Sequence, residues 1–436
     1  MLEWEYIIKP NACMGVAYDK IMFLRRSGIL MEEKIERIYT SVIKEHFKNH
    51  KQMIFLSGPR QAGKTTVSMI AKELTTQFTY LNWDNTDHRK IILEGPQSVA
   101  VYAGLDILTS GMPIVVFDEI HKYGKWKTFL KGFFDTYREK VRIIVTGSSR
   151  LDIYKKGGDS LMGRYFTYRL HQLSLGELSR IELSGQEINE PFLSKDGVLE
   201  KLLENGGFPE PFIKNNPRFL NRWKTLRQEQ LVKEDIRDLS RIQELGQIEI
   251  LAEMLKHQAG QLTNYSNIAK KINVSSDTVR RWIKVLQSFY YCFSIQPWSA
   301  NIPRSLVKEP KIYLWDWANI DEEGSRAENL IASHLLKAVH FWTDYGLGQY
   351  DLWFLRDKEK REVDFLVSKD KKPWFLVEVK LSSKGGLSRN LFYFQDKIKA
   401  KHAFQVVFDM EYVPKDCFRQ NAPVIVPAQT FLSQLV

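Results

Sequence analysis

The chain has 436 residues, of which 44% are hydrophobic and 26% charged, a composition typical of a folded protein with roughly two to four domains. Lys and Arg together number 63 against 52 Asp and Glu, and the formal charge of +11 favours a polyanionic partner such as nucleic acid. No apolar stretch reaches the roughly eighteen residues of a membrane span. The three cysteines, Cys13, Cys292 and Cys417, are too scattered for a disulfide framework or a zinc site. We therefore expect a cytoplasmic protein with no membrane partner.

The amino terminus lacks the charged and apolar regions of a signal peptide. Residues 1–30 show little periodicity and form a predicted extension, whereas an amphipathic helix is predicted from Glu33 to Lys48. Met31 stands just before that helix. Translation therefore starts either at Met1 or at Met31, and both starts stay open.

Residues 31–180 are predicted to form an ATP-binding domain, because they contain a complete phosphate-binding loop. A strand-like segment precedes this loop and a helix-like segment, Val67 to Leu74, follows it. Glycines let backbone N–H groups turn towards the phosphates, Lys64 reaches the β- and γ-phosphates, and the Thr65 hydroxyl can ligate Mg²⁺. The predicted nucleotide-binding residues are Gly58, Pro59, Arg60, Gln61, Ala62, Gly63, Lys64, Thr65 and Thr66.

An apolar strand that begins at Pro113 ends in two carboxylates, Asp118 and Glu119, the pattern of a buried parallel strand with its active end outward. In this Walker B element, Asp118 is predicted to hold Mg²⁺ through water. Glu119 is predicted to polarise the attacking water as a general base. Together with the loop, the two carboxylates predict hydrolysis of ATP and not binding alone.

A third strand, Val141 to Gly147, leads to Ser148, the predicted polar sensor near the γ-phosphate. A serine that merely caps a turn is the competing interpretation. Arg164 is predicted to be an arginine finger from its own or a neighbouring subunit, so a homo-oligomer stays open; a structural role for Arg164, or the same role for Arg150, is the alternative. The alternation of strands and helices predicts a P-loop α/β fold with a doubly wound parallel sheet.

Five segments together resemble a known family. They are Gly58 to Thr66, Val115 to Lys122, Thr146 to Ile153, Ser160 to Leu178 and Gly206 to Pro211. Over residues 45–436 the chain resembles prokaryotic AAA-type ATPases that carry a DUF4143 region after the ATPase. This resemblance implies an ASCE-class ATPase with a DNA-linked partner domain, and it implies no particular substrate.

The middle of the chain is predicted to be helical. Residues 181–250 show helical spacing, interrupted by the turn at Gly206 to Pro209, and form a predicted lid or connector. Residues 251–300 are predicted to form a winged helix-turn-helix, with a second helix from Thr278 to Ser288 and a wing, or its supporting strand, at Tyr290 to Ile295.

Positive charge is concentrated in this predicted helix-turn-helix. Residues 255–295 contain six Lys or Arg and a single acid, Asp277. Arg280, Arg281 and Lys284 are predicted to lie free on the second helix and to contact DNA, mainly through its phosphates. The alternative is a winged helix that serves only as a spacer.

Residues 301–436 are predicted to form a restriction-endonuclease-like α/β domain, because helix, three strands, helix and strand follow one another. The predicted elements are Ser325 to Val339, Asp351 to Arg356, Glu362 to Val367, Trp374 to Lys380, Leu387 to Ala400 and Ala403 to Phe408. Asp364 lies in the second strand. Glu378 and Lys380 lie two residues apart in the third, so they share one strand face, and a hairpin returns them beside Asp364.

Carboxylates grouped in this way predict a site for Mg²⁺ or Mn²⁺, formed by Asp364 and Glu378 and supplemented by Glu328 from the preceding helix. Lys380 would offer a further cation or position the nucleophile. The resemblance extends to the PD-(D/E)XK superfamily, with Val363 in the place of its proline. Domains of that superfamily either cut nucleic acid or only bind it, and both outcomes stay open.

The sequence therefore predicts an ATP-hydrolysing protein that acts on nucleic acid, most simply DNA, with a metal-dependent nuclease domain. The alternative is a nucleotide-gated DNA-binding or regulatory ATPase whose C-terminal domain does not cleave. A protein-remodelling ATPase with no role on nucleic acid is the third interpretation.

Overall fold

The computed structural model of the chain describes residues 35–147, 161–230, 245–299 and 309–436. The described helices and strands all belong to one compact unit, Glu36–Val436. The predicted extension over residues 1–30, the start at Met31, the predicted sensor Ser148 and its neighbour Arg150 lie outside the described residues. Within the described part of the chain, no helix has the length and apolar character needed to cross a membrane.

The first sheet consists of five parallel strands in the order β2-β3-β4-β1-β5. They are β1 (Met53–Ser57), β2 (Phe78–Asn82), β3 (Ile114–Asp118), β4 (Arg142–Gly147) and β5 (Tyr165–Arg169). Every residue of β1 and β3 is buried, as expected for strands with helices on both faces. The predicted parallel α/β sheet is therefore confirmed, with β4 between the strand that enters the phosphate loop and the strand that ends in Asp118.

Several helices accompany this sheet. They are α1 (Ile38–Asn49), α2 (Lys64–Ile70), α3 (Thr86–Glu94), α4 (Pro96–Tyr102) and α5 (Trp126–Tyr137), and α2 continues as a 3-10 turn over Ala71–Leu74. The apolar face of α5 packs on β3, where Phe117 meets Phe129 and Phe133 edge to face at ring-centroid distances of 5.6 and 5.5 Å. This packing fixes β3, and with it the position of the carboxylates at its end.

The connector consists of short helices. They are α6 (Leu175–Ser179), α7 (Val198–Asn205), α8 (Pro209–Lys214), α9 (Pro217–Glu229) and α10 (Leu245–His257). The turn between α7 and α8 needs glycine, because a Cβ on Gly207 would lie 2.6 Å from the Trp317 ring and 2.7 Å from the carbonyl oxygen of Leu173. This close approach packs the connector against the C-terminal part of the chain.

Two helices follow the connector, α11 (Tyr265–Lys271) and α12 (Ser276–Ser288). Ser275 caps α12, since its side chain accepts a hydrogen bond from the Thr278 N–H at 3.1 Å. The inner face of α12 buries Val279, Trp282, Ile283 and Leu286. Trp282 adds a large side chain to the core predicted for this helix pair.

The strand predicted as a wing belongs to a larger sheet. β6 (Cys292–Pro297) pairs antiparallel with β7 (Lys311–Leu314) and parallel with β8 (Tyr350–Arg356). The predicted wing over Tyr290 to Ile295 is therefore not a free hairpin beside α12. The predicted boundary between residues 300 and 301 falls between two strands of one sheet.

This second sheet has seven strands in the order β12-β11-β10-β9-β8-β6-β7. Its other strands are β9 (Glu362–Lys369), β10 (Lys372–Lys380), β11 (His402–Val407) and β12 (Val424–Pro427), and the helices of this region are α13 (Glu323–Tyr345), α14 (Arg389–Ile398) and α15 (Ala428–Ser433). Short 3-10 turns occur at Ile120–Lys122, Trp317–Asn319, Ser383–Gly385 and Cys417–Arg419. The predicted order of helix, three strands, helix and strand is present from α13 to β11.

A buried ion-pair network connects the phosphate loop with the C-terminal helix α13. Glu177 of α6 is fully buried between Arg37 and Lys337. Arg37 Nε donates to Glu177 Oε1 at 2.8 Å, Lys337 Nζ donates to Glu177 Oε2, and Arg37 also donates to the carbonyl oxygen of Ala62 at 2.6 Å. Burial alone would raise the pKa of Glu177, but the two cations bring it down to about 2. The carboxylate is therefore ionised at neutral pH.

Replacing Glu177 with Gln is expected to lower the free energy of unfolding by about 3–5 kcal/mol, because Arg37 and Lys337 would remain buried without a carboxylate. Chemical denaturation of the full chain measures the change. Glu182→Gln, which neutralises an exposed carboxylate nearby, is expected to change stability by less than about 0.5 kcal/mol. Equal stability of Glu177→Gln and the wild type would contradict this role of the network.

Candidate functional site: the phosphate loop and the C-terminal carboxylates

The phosphate loop has a backbone that only glycine permits at its first position. Gly58 has φ of 151°, and a Cβ there would lie 2.2 Å from the carbonyl oxygen of Leu170. Gly63 has φ of 95° and leads directly into α2, which begins at Lys64. The Lys64 ammonium donates to the carbonyl oxygens of Gly58 at 2.9 Å and Pro59 at 2.7 Å. It therefore lies inside the curve of the loop, where phosphates are predicted to bind.

Asp118, at the end of β3, lies beside the loop residue Thr65. The Thr65 hydroxyl donates to Asp118 Oδ2 at 3.1 Å, and the hydroxyls of Tyr80 and Thr146 also donate to this carboxylate. One hydroxyl and one carboxylate this close together fit a Mg²⁺ ion that is shared with a nucleotide. The sequence analysis missed Tyr80 and Thr146, although the strands that carry them flank β3 on its two sides.

Glu119 follows in a left-handed backbone conformation, with φ of 55°, and its N–H donates to the carbonyl oxygen of Thr146 at 3.1 Å. Its Oε2 is buried and accepts no hydrogen bond from the described residues, while Lys122 Nζ lies 3.5 Å and His121 Nε2 3.6 Å away. Burial raises the pKa of Glu119. A buried carboxylate oxygen with this raised pKa suits the predicted role of accepting a proton from water.

Arg164 lies at the amino-terminal end of β1, whereas the phosphate loop lies at its carboxyl end. Its carbonyl oxygen accepts from the Met53 N–H at 2.8 Å, so it sits beside the first residue of β1, whereas the loop follows the last. Its guanidinium donates to both carboxylate oxygens of Asp135, at 2.7 and 3.0 Å. The prediction of an arginine finger within its own subunit is therefore wrong, because β1 alone separates the two ends by about 16 Å. A finger that acts on a neighbouring subunit stays a prediction.

The C-terminal residues that the sequence singled out lie on neighbouring strands. Asp364 Oδ2 in β9 accepts from the Val379 N–H at 2.9 Å, and Glu378 Oε1 in β10 lies 3.0 Å from Lys380 Nζ. Burial and the nearby carboxylate of Glu328 raise the pKa of Asp364 to about 7. The structure therefore brings Asp364, Glu378, Lys380 and Glu328 into one region.

A lysine that the sequence analysis missed lies among these carboxylates. Lys311 of β7 is buried, with a side chain 4% exposed, and its Nζ lies 2.7 Å from Glu362 Oε1, 3.3 Å from Glu328 Oε1 and 3.7 Å from Asp364 Oδ1. Burial alone would lower the pKa of Lys311, but these carboxylates raise it above its usual value. Lys311 therefore remains charged and supplies the cation that the cluster needs.

The surroundings of these carboxylates bear on the predicted Mg²⁺ or Mn²⁺ site. Within the described ranges, no group of three or more His, Cys, Asp or Glu side chains is arranged to hold a metal ion. The ammonium of Lys311 lies between Asp364 and Glu328, while Glu378 pairs with Lys380. The metal site at Asp364, Glu378 and Glu328 stays a prediction, and each of its three carboxylates already has a cation of the chain beside it.

The predicted DNA-contacting residues form one exposed row on α12, called here the basic row: Arg280, Arg281 and Lys284. Residues three and four apart lie on the same helix face, so the three cations point to one side. The Arg280 guanidinium lies 4.5 Å from the centre of the Tyr265 ring. This cation–π contact holds Arg280, the first residue of the basic row, against the neighbouring helix α11.

Comparison with known families matches three parts of the chain. A family model described as an AAA domain matches residues 50–179. Two models described as domains of unknown function, DUF8612 and DUF4143, match residues 197–318 and 323–428. Lys311 therefore lies in the segment that the first of these two matches, and the carboxylates around it lie in the segment that the second matches.

Two curated relatives and two solved structures are similar to the chain. The uncharacterized proteins Rv2008c of Mycobacterium tuberculosis and Mb2031c of Mycobacterium bovis are each 23% identical to it over 347 residues, covering 78% of this chain and 72% of theirs. A RuvB variant of Thermotoga maritima has a TM-score of 0.29 at 18% identity, covering 59% of this chain and 86% of RuvB. PCH-2 of C. elegans has a TM-score of 0.23 at 15% identity, covering 56% and 66%.

The charge of Lys64 is sensitive to pH. Burial lowers its pKa to about 8, an effect that Glu119 and Asp118 oppose and that Arg60 and Arg227 increase. Below that pH the ammonium is present to meet a phosphate. Above it, the protein without nucleotide carries a neutral amine and must take up a proton when a phosphate binds.

We expect the affinity for ATP to fall as the pH rises above about 8, by up to about tenfold per pH unit, because binding then requires this proton uptake. Titration with a fluorescent ATP analogue from about pH 7 to 9.5 measures the change. In Lys64→Arg the guanidinium stays charged, so its weaker binding should be flat over this range. A flat profile for the wild type would contradict the shifted pKa.

Proposed function

We propose that this chain, with its AAA domain at residues 50–179 and its DUF4143 domain at residues 323–428, uses ATP to control how tightly it binds nucleic acid. Membership of the AAA family accounts for nucleotide binding, usually with Mg²⁺. The single observation that carries the nucleic-acid part of this function is the exposed basic row on α12. The C-terminal domain, in this proposal, binds without cutting.

Hydrolysis would use the groups gathered at the carboxyl ends of β1 and β3. Lys64 and the loop N–H groups would hold the phosphates, and a bound Mg²⁺ would neutralise part of their charge. Thr65 and Asp118 are the residues that would hold this ion. Glu119 takes a proton from the water that attacks the γ-phosphorus, the bond to the β-phosphate oxygen breaks, and ADP and phosphate are the products.

Contact with nucleic acid would be made by the basic row and would depend mainly on phosphates. Three cations on one helix face match the spacing of a charged backbone and release counterions on binding, so affinity falls with salt. They carry little information about base sequence by themselves. Double-stranded DNA is the simplest partner, since a capped helix after a short turn can lie along a groove.

Coupling between the two proposed activities would use a series of packed contacts. The carbonyl oxygen of Ala62 in the phosphate loop accepts from Arg37, Arg37 pairs with Glu177, and Glu177 pairs with Lys337 of α13. The strand that follows α12 belongs to the same sheet as the strands beside α13. A change in the loop can therefore reach the basic row through packed elements, provided that ATP and ADP bind with different contacts.

The absence of cleavage is favoured by Lys311, which already compensates the carboxylates that a metal would need. One observation favours the second candidate, a metal-dependent nuclease: Glu378 Oε2 is buried and accepts no hydrogen bond from the described residues, as a carboxylate awaiting a cation would. The two candidates differ in one outcome, the cutting of a nucleic acid.

Reversing two charges of the basic row, Arg280→Glu with Lys284→Glu, is expected to weaken binding of a labelled duplex by more than about tenfold and to lower the salt slope by about two. Fluorescence anisotropy over a salt series measures both. Lys44→Glu with Lys48→Glu reverses the same number of exposed charges at the same spacing on α1 and should bind nearly as the wild type does. Equal losses of duplex affinity in both double variants would show that only the net charge of the protein matters. No loss of duplex affinity in either variant would favour a protein-remodelling ATPase.

Supercoiled plasmid is expected to stay intact with the wild-type protein and Mg²⁺ or Mn²⁺, with or without ATP, because Lys311 already compensates the charge of Asp364 and Glu328. Conversion to nicked and linear forms, resolved on an agarose gel, is the measurement. Asp364→Ala should match the wild type. Cleavage by the wild type that disappears in Asp364→Ala would establish the nuclease and overturn the non-cleaving assignment.

A further inference from the structure

Tyr80, on the edge strand β2, reaches the carboxylate that ends the neighbouring strand β3. In the parallel pairing of the two strands, Asn82 lies opposite Asp118 and Tyr80 lies opposite Val116. Residues two apart share a strand face, so Tyr80 and Asp118 are diagonal neighbours about 8 Å apart, a separation that an aromatic side chain can span. The Tyr80 hydroxyl donates a hydrogen bond to Asp118 Oδ2. A short polar side chain at this position would not reach the carboxylate.

Asp118 accepts hydrogen bonds on both of its carboxylate oxygens. Oδ1 accepts from the hydroxyl of Thr146, which lies directly opposite Asp118 on β4. Oδ2 accepts from Tyr80 and, at 3.1 Å, from the hydroxyl of Thr65. Asp118 is only 5% exposed, so these donors, and not the solvent, determine the direction in which its carboxylate points.

The three donors differ in what they are attached to. Tyr80 and Thr146 belong to strands that flank β3 on its two sides. Thr65 follows the phosphate loop, and its hydroxyl is the group predicted to ligate Mg²⁺ when a nucleotide binds. Tyr80 is therefore the donor from the sheet that holds Oδ2 of Asp118, whatever the loop binds.

The Tyr80 hydroxyl is a permanent donor. Burial and the hydrogen bond to Asp118 raise the pKa of Tyr80 above its usual value. The hydroxyl therefore keeps its proton at neutral and moderately alkaline pH. Phenylalanine would keep the ring of Tyr80 and remove only this donor.

We propose that Tyr80 is a positioning residue, whose hydroxyl fixes the orientation in which the Asp118 carboxylate would receive the Mg²⁺ bound with ATP. With Thr146 on one oxygen and Tyr80 on the other, the carboxylate cannot rotate about its Cβ–Cγ bond without breaking a hydrogen bond. Loss of the Tyr80 hydroxyl would free this rotation and leave the loop contacts of Lys64 unchanged. Tyr80 therefore contributes to the metal-dependent part of the nucleotide affinity. This inference rests on the proposed binding of ATP with Mg²⁺ and needs no nucleic acid.

Tyr80→Phe is expected to lower the affinity for a fluorescent, non-hydrolysable ATP analogue about fivefold or more in Mg²⁺, while the affinity in EDTA stays within about twofold of the wild type. Retained affinity in EDTA also shows that the variant is folded. Tyr345→Phe is the matched control, because the Tyr345 hydroxyl donates to the carboxylate of Glu45, at 2.8 and 2.9 Å. This control should leave both affinities unchanged. Wild-type affinity of Tyr80→Phe in Mg²⁺, or an equal loss in Mg²⁺ and in EDTA, would overturn the proposal.

Asp118→Asn tests whether Tyr80 acts through this carboxylate. In that background, Tyr80→Phe should change the ratio of the affinities in Mg²⁺ and in EDTA by less than about twofold, because no carboxylate remains to be oriented. A loss as large as in the wild-type background would overturn the positioning role. If the wild type binds the analogue equally in Mg²⁺ and in EDTA, the proposed ATP site fails and this inference with it. A wild-type Mg²⁺ effect that Tyr80→Phe retains in full defeats only the role of Tyr80.

Discussion

A carboxylate without access to water, held between two buried cations, determines how the ATPase part of this chain meets its C-terminal helix. Glu177 pairs with Arg37 and Lys337, and separation of the elements that carry them would leave unpaired charge in the interior. Arg37 also donates a hydrogen bond to the carbonyl oxygen of Ala62, and this bond fixes one side of the phosphate loop. A cavity beside Arg60 separates the loop from helix α9 of the connector.

In the C-terminal sheet, one lysine changes the expected role of a cluster of acidic residues. Asp364 and Glu378 have the strand positions that suggested a metal site, but Lys311 from β7 places an ammonium among the carboxylates. A covalently attached cation compensates the charge permanently and activates no water. The cluster then stabilises the junction of β7, β9 and α13, and in the proposed function this domain binds nucleic acid without cutting it.

The sequence was sufficient for features that depend on consecutive residues. The loop from Gly58 to Thr66 and the carboxylates that end β3 are local patterns, and so is the order of elements from α13 to β11. Lys311 was missed because its partners lie far along the chain or on other elements, where no periodicity marks them. The role of Arg164 within its own subunit was predicted wrongly because the sequence does not show at which end of the strands a residue lies.

The central claim is that the nucleotide at the loop and the duplex at the basic row influence each other. Its most direct test is the affinity of a labelled duplex measured with a saturating non-hydrolysable ATP analogue, with saturating ADP and without nucleotide. Linkage requires that any change be reciprocal, so the duplex must shift nucleotide affinity by the same factor. We predict at least about a fivefold difference between the ATP-analogue and ADP states. Identical duplex affinities in all three states would contradict the account.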